Sequence, residues 1–178
     1  NKGPSYCRNY GVKNSKGRLI FFLDADDEWH SNKVTIHYNN YKNNKIDAIY
    51  DKQYSKRRDI LEKINFKIIS NNFCENMLRG WGPPNLSSLS IRKDIFFKIG
   101  LLDSNLRYSE DQDLFIRFEI NNVRVKGLTE RLTFFSDEDK SRVSYSSVPR
   151  IEGTIDFLNK WEQYFKSNFP DIDYMKYR

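Results

Sequence analysis

The 178-residue chain has little of what staples small folds or builds transition-metal cages, with 2 cysteines and 2 histidines in all. Cys7 and Cys74 lie far apart and in no metal-binding spacing, which argues against a disulfide framework and predicts reduced thiols in a cytosolic setting. His30 and His37 cannot make a zinc site without cysteine help, and both are expected on a helix surface. No stretch approaches the roughly 20 apolar residues needed to cross a bilayer. Internal repeats, low-complexity linkers, an RNP sequence and a zinc finger are also absent, so nucleic acid is discounted as a partner.

What is present is core material and positive charge. A 38% hydrophobic and 15% aromatic content is too high for a disordered chain despite the 30% of charged residues, and the length suits one domain core. The net charge of +6 admits an anionic membrane surface or a nucleotide diphosphate as partner. The densest basic run, Lys52 to Arg58, follows a predicted strand over residues 46–50 and reads as a solvated loop or a contact for lipid head groups or phosphate.

The most informative passage is Arg18-Leu-Ile-Phe-Phe-Leu-Asp-Ala-Asp-Asp-Glu-Trp29. Leu19 to Leu23 is apolar without alternation, which predicts a strand covered on both faces, as in a parallel sheet of an α/β domain. Such sheets bind ligands beyond the carboxyl ends of their strands. In extended chain, Asp24 and Asp26 would project to one side with Ala25 between them. Two converging carboxylates make a seat for Mg2+ or Mn2+, with a phosphorylated substrate completing the shell. Taken alone, the same aspartates could simply cap the next segment.

Four separated segments together resemble family 2 of the GT-A glycosyltransferases. Asn1-Lys-Gly-Pro-Ser-Tyr-Cys-Arg-Asn-Tyr-Gly11 is similar to the family's N-x-G-x-S-x-A-R-N-x-G, with Cys7 in place of a small alanine. Gly17, Asp24-Ala-Asp-Asp27, Trp29 and Lys33 fit the metal and nucleotide motif and the residues around it. Leu89 to Asp103 resembles the acceptor-side strand, short helix and Gly-x-x-Asp turn, and Ser109-Glu-Asp-Gln-Asp-Leu-Phe-Ile-Arg117 resembles the E-D-x-D-L-x-x-R signature.

The resemblance implies an α/β fold of GT-A (Rossmann-like) type, a mixed sheet flanked by helices. It also implies that the family's amino-terminal nucleotide-binding strands precede Asn1, which would leave an apolar sheet edge. Residues 1–150 are expected to form this partial catalytic domain and residues 151–178 an amphipathic helix and tail.

By the same resemblance the activity is metal-dependent transfer of a sugar, with inversion, from a nucleotide-diphosphate-sugar to a saccharide or lipid-linked hydroxyl acceptor. The expected setting is surface glycan synthesis at the inner face of the plasma membrane, with peripheral contact to anionic lipid. Asp111 is implied as the catalytic base, Glu110 and Asp113 as groups orienting the loop or acceptor, and Asp24 and Asp26 as ligands of Mn2+ or Mg2+. Asp27 would support the metal shell or bond the ribose, Arg8 would approach the nucleotide phosphates, and Trp81 could stack on a sugar ring.

Read locally, Glu110 and Asp111 are also an N-cap and first-turn acid on a helix marked by Leu114, Phe115 and Phe118, whose positive end favours an ionised carboxylate. Arg8 equally suits an ion pair within the fold, and Trp81 equally suits core packing. Many relatives carry a metal-binding histidine in the loop after this helix. Phe134 to Ser144 has none, leaving Asp137, Glu138 or water for that position. The competing functional reading is a non-catalytic sugar-binding or scaffolding module of the same fold.

The rest of the chain completes the expected outline. Ser31 should cap a helix to about Asn44 with Val34, Tyr38 and Tyr41 on one face, and a short helix near Asn72 to Arg79 should close at Gly80. Arg117 should pair with Asp113 at i,i+4. Ile155, Leu158, Trp161 and Phe165 mark a last amphipathic helix that packs on the domain, meets another domain or lies on a membrane.

Overall fold

The computed structural model describes residues 2–42, 45–58, 60–136 and 147–172. Helix α1 (Pro4–Asn14) leads into β1 (Leu19–Phe21) and the short β2 (Glu28–Trp29). After α2 (Lys33–Tyr41), the long β3 (Ala48–Arg57) turns through Arg58 into β4 (Ile60–Ile64). Then come α3 (Phe73–Leu78), a 3-10 turn (Leu86–Ser88), β5 (Leu89–Arg92), α4 (Lys93–Lys98), α5 (Glu110–Ile120), β6 (Val125–Ser136) and α6 (Ser147–Asn168). The strands make one mixed sheet in the order β1-β5-β3-β6-β2, with β4 hairpinned on the distal half of β3. The α/β class and the mixed sheet with helices are those expected.

The centre of the sheet is β3, whose Ala48, Ile49 and Tyr50 are fully buried between β5, antiparallel to it, and β6, parallel to it. Apolar residues on both faces of one strand require layers above and below, which the helices and loops provide. Phe115 of α5 is the hub of one layer, with ring contacts at 5.2–5.8 Å to Tyr50, Phe73, Trp81 and Phe118. Each such ring stabilises the fold by about 1.5–3 kcal/mol through burial. Gly127 of β6 lets Tyr50 lie close, because a Cβ there would fall 2.7 Å from the Tyr50 ring. The two cysteines are unpaired, Cys7 exposed on α1 and Cys74 buried under α6.

Several local expectations are corrected. The apolar run after Arg18 yields only a three-residue strand, and it pairs antiparallel with β5 rather than lying inside a parallel sheet. β1 ends the sheet, and two clefts of about 480 and 370 Å³ are lined by its residues, so Leu19 and Phe21 are only half covered while Ile20 is buried. The basic run after residue 50 is not a loop but the distal half of β3, held between β6 and β4, with Lys56 paired to Glu28. In α2 the inward face carries Lys33, His37 and Tyr41, whereas Val34 and Tyr38 are about half exposed. His37 is therefore a core residue, while His30 is exposed as expected but lies between β2 and α2 rather than on a helix.

The short helix closed by Gly80, the strand, helix and Gly100 turn after Leu89, and the helix opening at Glu110 all form as expected. Among the described residues, no helix is long and apolar enough to cross a membrane.

Candidate active site

Beyond β1 the chain does not continue extended: it turns, with the Asp27 N–H donating to the Asp24 carbonyl at 3.1 Å. The three aspartates consequently part company. Asp24 is half-buried, Asp26 is exposed, and Asp27 is buried. The loop is fixed from beneath by the 3-10 turn: the Asp24 N–H donates to Ser87 Oγ at 3.0 Å and Trp29 Nε1 donates to the Ser87 carbonyl at 2.8 Å. Asp27 anchors its far side, accepting from the Ser136 N–H and from Asn85 Nδ2, both at 3.1 Å. Burial pushes the Asp27 carboxyl above its ordinary range despite these donors. Through these bonds Asp27 holds the loop that carries Asp24 and Asp26 to β6 and to the 3-10 turn.

Arg8, projecting from α1, joins this loop to the second acidic segment. Nη2 donates to Asp24 Oδ1 at 2.5 Å and Nη1 donates to Glu110 Oε1 at 2.8 Å. Burial opposes the guanidinium charge, but Asp24 and then Glu110 outweigh it and hold Arg8 above its ordinary value. Three segments separated by up to 102 positions therefore converge on one arginine.

Asp111 follows Glu110 in the first turn of α5. Its carboxyl is packed among protein atoms while the residue keeps some contact with solvent, and it is pushed up to about 7. Desolvation is the largest cause and the Glu110 charge the second, against the pull of nearby backbone N–H groups and Arg8. The helix's positive end, expected to favour ionisation, loses to burial. A carboxylate near neutrality is suited to accept a proton at physiological pH.

Asp113 is different. It is fully buried, accepts from Arg117 Nε at 2.8 Å and Trp161 Nε1 at 3.1 Å, and is ion-paired with Lys160 Nζ at 2.6 Å, so it ties the α5 turn to α6. Trp81 is also turned to packing: it contacts Phe73 and Phe115, and its Nε1 donates to the Lys67 carbonyl at 2.9 Å.

A buried polar cluster that sequence reasoning missed lies under the Asp24 loop. Lys33 Nζ is paired with Asp51, and donates to Thr133 Oγ1 at 3.0 Å and to the Ser88 carbonyl at 3.2 Å. His37 lies between Asp51 Oδ2 at 3.1 Å and Ser90 Oγ at 2.7 Å. Burial lowers both Lys33 and His37 from their ordinary values, Asp51 opposing it in each case. The signals in the sequence were Lys33, which fits the family's motif, and a lone aspartate, Asp51, closing the apolar run Ala48-Ile-Tyr50.

Among the described residues, no three His, Cys, Asp or Glu side chains are grouped to enclose a metal ion. The turn at Ala25 and Asp26 replaces the extended chain in which Asp24 and Asp26 were expected to project to one side; their carboxylates remain of the oxygen-donor class that Mg2+ or Mn2+ takes, one or two at a time with water and phosphate oxygens. Asp137 and Glu138 lie outside the described residues.

The sequence profile of glycosyl transferase family 2 matches residues 1–96, and the chain belongs to that family. An uncharacterized glycosyltransferase of Rickettsia typhi is 29% identical over 138 residues, covering 66% of this chain and 39% of its own length. The Escherichia coli UDP-Glc:alpha-D-GlcNAc-diphosphoundecaprenol beta-1,3-glucosyltransferase WfgD is 34% identical over 71 residues, 40% of this chain and 23% of its own. The fold is that of GT-A glycosyltransferases. GalNAc-T7, solved with UDP, GalNAc and Mn2+, superposes with a TM-score of 0.65 at 14% identity, covering 99% of this chain and 39% of that one. The chain spans 28% to 39% of the length of the first three curated relatives.

Proposed function

We propose that this chain carries part of the catalytic centre of a metal-dependent, inverting glycosyltransferase that moves a sugar from a nucleotide-diphosphate-sugar to a hydroxyl acceptor. The observation that carries the reading is the Asp24–Arg8–Glu110 bridge, which sets the Asp-x-Asp loop against the turn bearing Asp111. Asp111 takes the proton of the attacking hydroxyl, and Glu110 holds Arg8 and keeps the Asp111 proton affinity high. Asp24 and Asp26 hold the cation. When bound, Mn2+ or Mg2+ supplies positive charge to the departing diphosphate. Arg8 adds fixed positive charge beside that position, and this electrostatic support costs no reorganisation when the bond breaks. Displacement by an oxygen activated at Asp111, opposite the leaving group, inverts the sugar carbon without a covalent intermediate.

The similarity to WfgD supports a UDP-sugar donor and an acceptor glycan on a lipid carrier, hence surface glycan synthesis beside the inner face of a membrane. The Mn2+ of GalNAc-T7 supports the choice of cation. The test is transfer and donor hydrolysis by the intact protein with Mn2+, a panel of nucleotide-sugars, and the variants Asp26→Ala and Asp111→Ala. Turnover of one donor, lost in EDTA and in both folded variants, is expected. Acceptor binding with no turnover of any donor would favour a binding module instead.

A further inference from the structure

Helix α6, like α5, lies beyond the residues matched by the family profile, and it touches the chain on both sides of Asp111. Lys160 Nζ donates to Asp103 Oδ2 at 2.7 Å, and Phe157, Leu158 and Phe165 share a cluster with Leu106 and Ile116. Gly153 lies against Tyr108, so closely that a Cβ on it would fall 2.3 Å from the Tyr108 Cβ and 3.2 Å from its backbone nitrogen. At the buried Asp113, two residues past Asp111, Trp161 donates a hydrogen bond and Lys160 makes an ion pair. Between these contacts the backbone takes an unfavourable path. Ser109 sits at φ +64°, a left-handed conformation that non-glycine residues adopt at a cost of about 1–3 kcal/mol. Its hydroxyl is buried and has no hydrogen-bond partner among the described residues.

A strained turn persists only where its surroundings over-determine it. The contacts bracket Glu110 and Asp111, since one fixes the backbone before the pair and the other the side chain after it. An amphipathic helix that only completed a core would need apolar contacts alone; this one adds a Cβ-free approach to the backbone and a hydrogen bond and an ion pair to one buried carboxylate.

We propose that α6 is a positioning element of the catalytic centre, setting the place of Asp111 through Gly153 on Tyr108 and through Lys160 and Trp161 on Asp113. The inference rests on the reading of Asp111 as the base. Among the described residues, the hydrogen bonds of Asp24 and of the Arg8 side chain run to Ser87, to Asp27, to each other and to Glu110, and α6 reaches them only through the α5 turn, so disturbing α6 bears on chemistry more than on donor binding.

The experiment compares Gly153→Ala, the double variant Lys160→Met with Trp161→Phe, Lys160→Arg and Asp111→Asn in the intact protein. It measures kcat, donor KM, and the affinity and stoichiometry of UDP binding with Mn2+. Gly153→Ala must push Tyr108 away, and a shift of about 1 Å can reduce kcat about 100-fold. The expected result is that fall in kcat with donor KM and UDP affinity within twofold of wild type and one UDP still bound per chain, which excludes simple loss of folded protein. The double variant should behave likewise, and Lys160→Arg should retain most activity.

Unchanged kcat in Gly153→Ala and in the double variant, with Asp111→Asn inactive, overturns the positioning role alone. Parallel losses of kcat and UDP stoichiometry in both also overturn it, in favour of a purely structural helix. Full activity of Asp111→Asn overturns the base assignment itself and the positioning role with it.

Discussion

Arg8 donates to Asp24 at 2.5 Å, placing a fixed cation beside the carboxylate proposed to bind a divalent one. The two positive charges compete for Asp24 but cooperate toward a diphosphate. Replacing Arg8 with Gln should therefore move two constants in opposite directions. The Mn2+ concentration giving half-maximal rate should fall, while donor KM should rise about tenfold, equivalent to about 1.4 kcal/mol. Titrations of rate against Mn2+ and against donor check this, and a joint rise in both constants would contradict it.

Asp111, pushed up to about 7, should set the acid limb of the pH profile of kcat/KM, with the rate falling as pH drops below about 7 and the base becomes protonated. Asp111→Asn should lower kcat by roughly 10²–10⁴-fold.

The same shift has a stability consequence of definite sign. The folded-state affinity of Asp111 for its proton is above that of an unfolded carboxyl, so its favourable contribution is complete below about pH 4 and is lost as pH rises through about 7. Asp111→Asn should accordingly melt higher than wild type at pH 8, with the difference closing toward pH 4. Thermal denaturation at the two pH values measures it, and a lower melting temperature for the variant at pH 8 would refute the burial argument.

The Lys33–Asp51 pair is buried on both sides. Lys33→Met strands the Asp51 charge and should destabilise the fold by about 3–5 kcal/mol, while adding Asp51→Asn should recover a large part of that. Urea unfolding of the three proteins decides this; equal losses for the single and double variants would show that the pair's charge is not what matters.

Asp27→Ala removes the acceptor for the Ser136 N–H and for Asn85. A loss of about 1–3 kcal/mol follows from leaving such groups unpaired. Because the anchored loop carries Asp24 and Asp26, donor KM should rise with it, as steady-state kinetics on the folded variant will show.

What the sequence disclosed depended on the range of the interactions involved. The α5 start was legible because Leu114, Phe115 and Phe118 repeat at helical spacing behind first-turn acids, and the Gly80 and Gly100 turns because their positive φ angles suit glycine. The inward face of α2 was misread because Lys33 and His37 are polar by composition. They are buried only because Asp51, Ser88, Ser90 and Thr133 arrive from three distant segments. The basic half of β3 was misread for a related reason. Its strand conformation comes from two flanking ladders, a tertiary effect that overrides weak local propensity. At the site, the motif aspartates were legible but their division of labour was not, since one turn at Ala25 and Asp26 sends three neighbouring carboxylates into different surroundings.

The contrast between the two free cysteines offers a practical handle. Cys74 is buried and its thiol is pushed up to about 12, so it carries almost no thiolate at neutral pH. Cys7 is exposed and adjacent in the chain to Arg8, the residue that joins the two acidic segments. A maleimide fluorophore added to the native chain will thus attach at one place without any mutagenesis, and its emission will report when the guanidinium next to it exchanges carboxylate for phosphate.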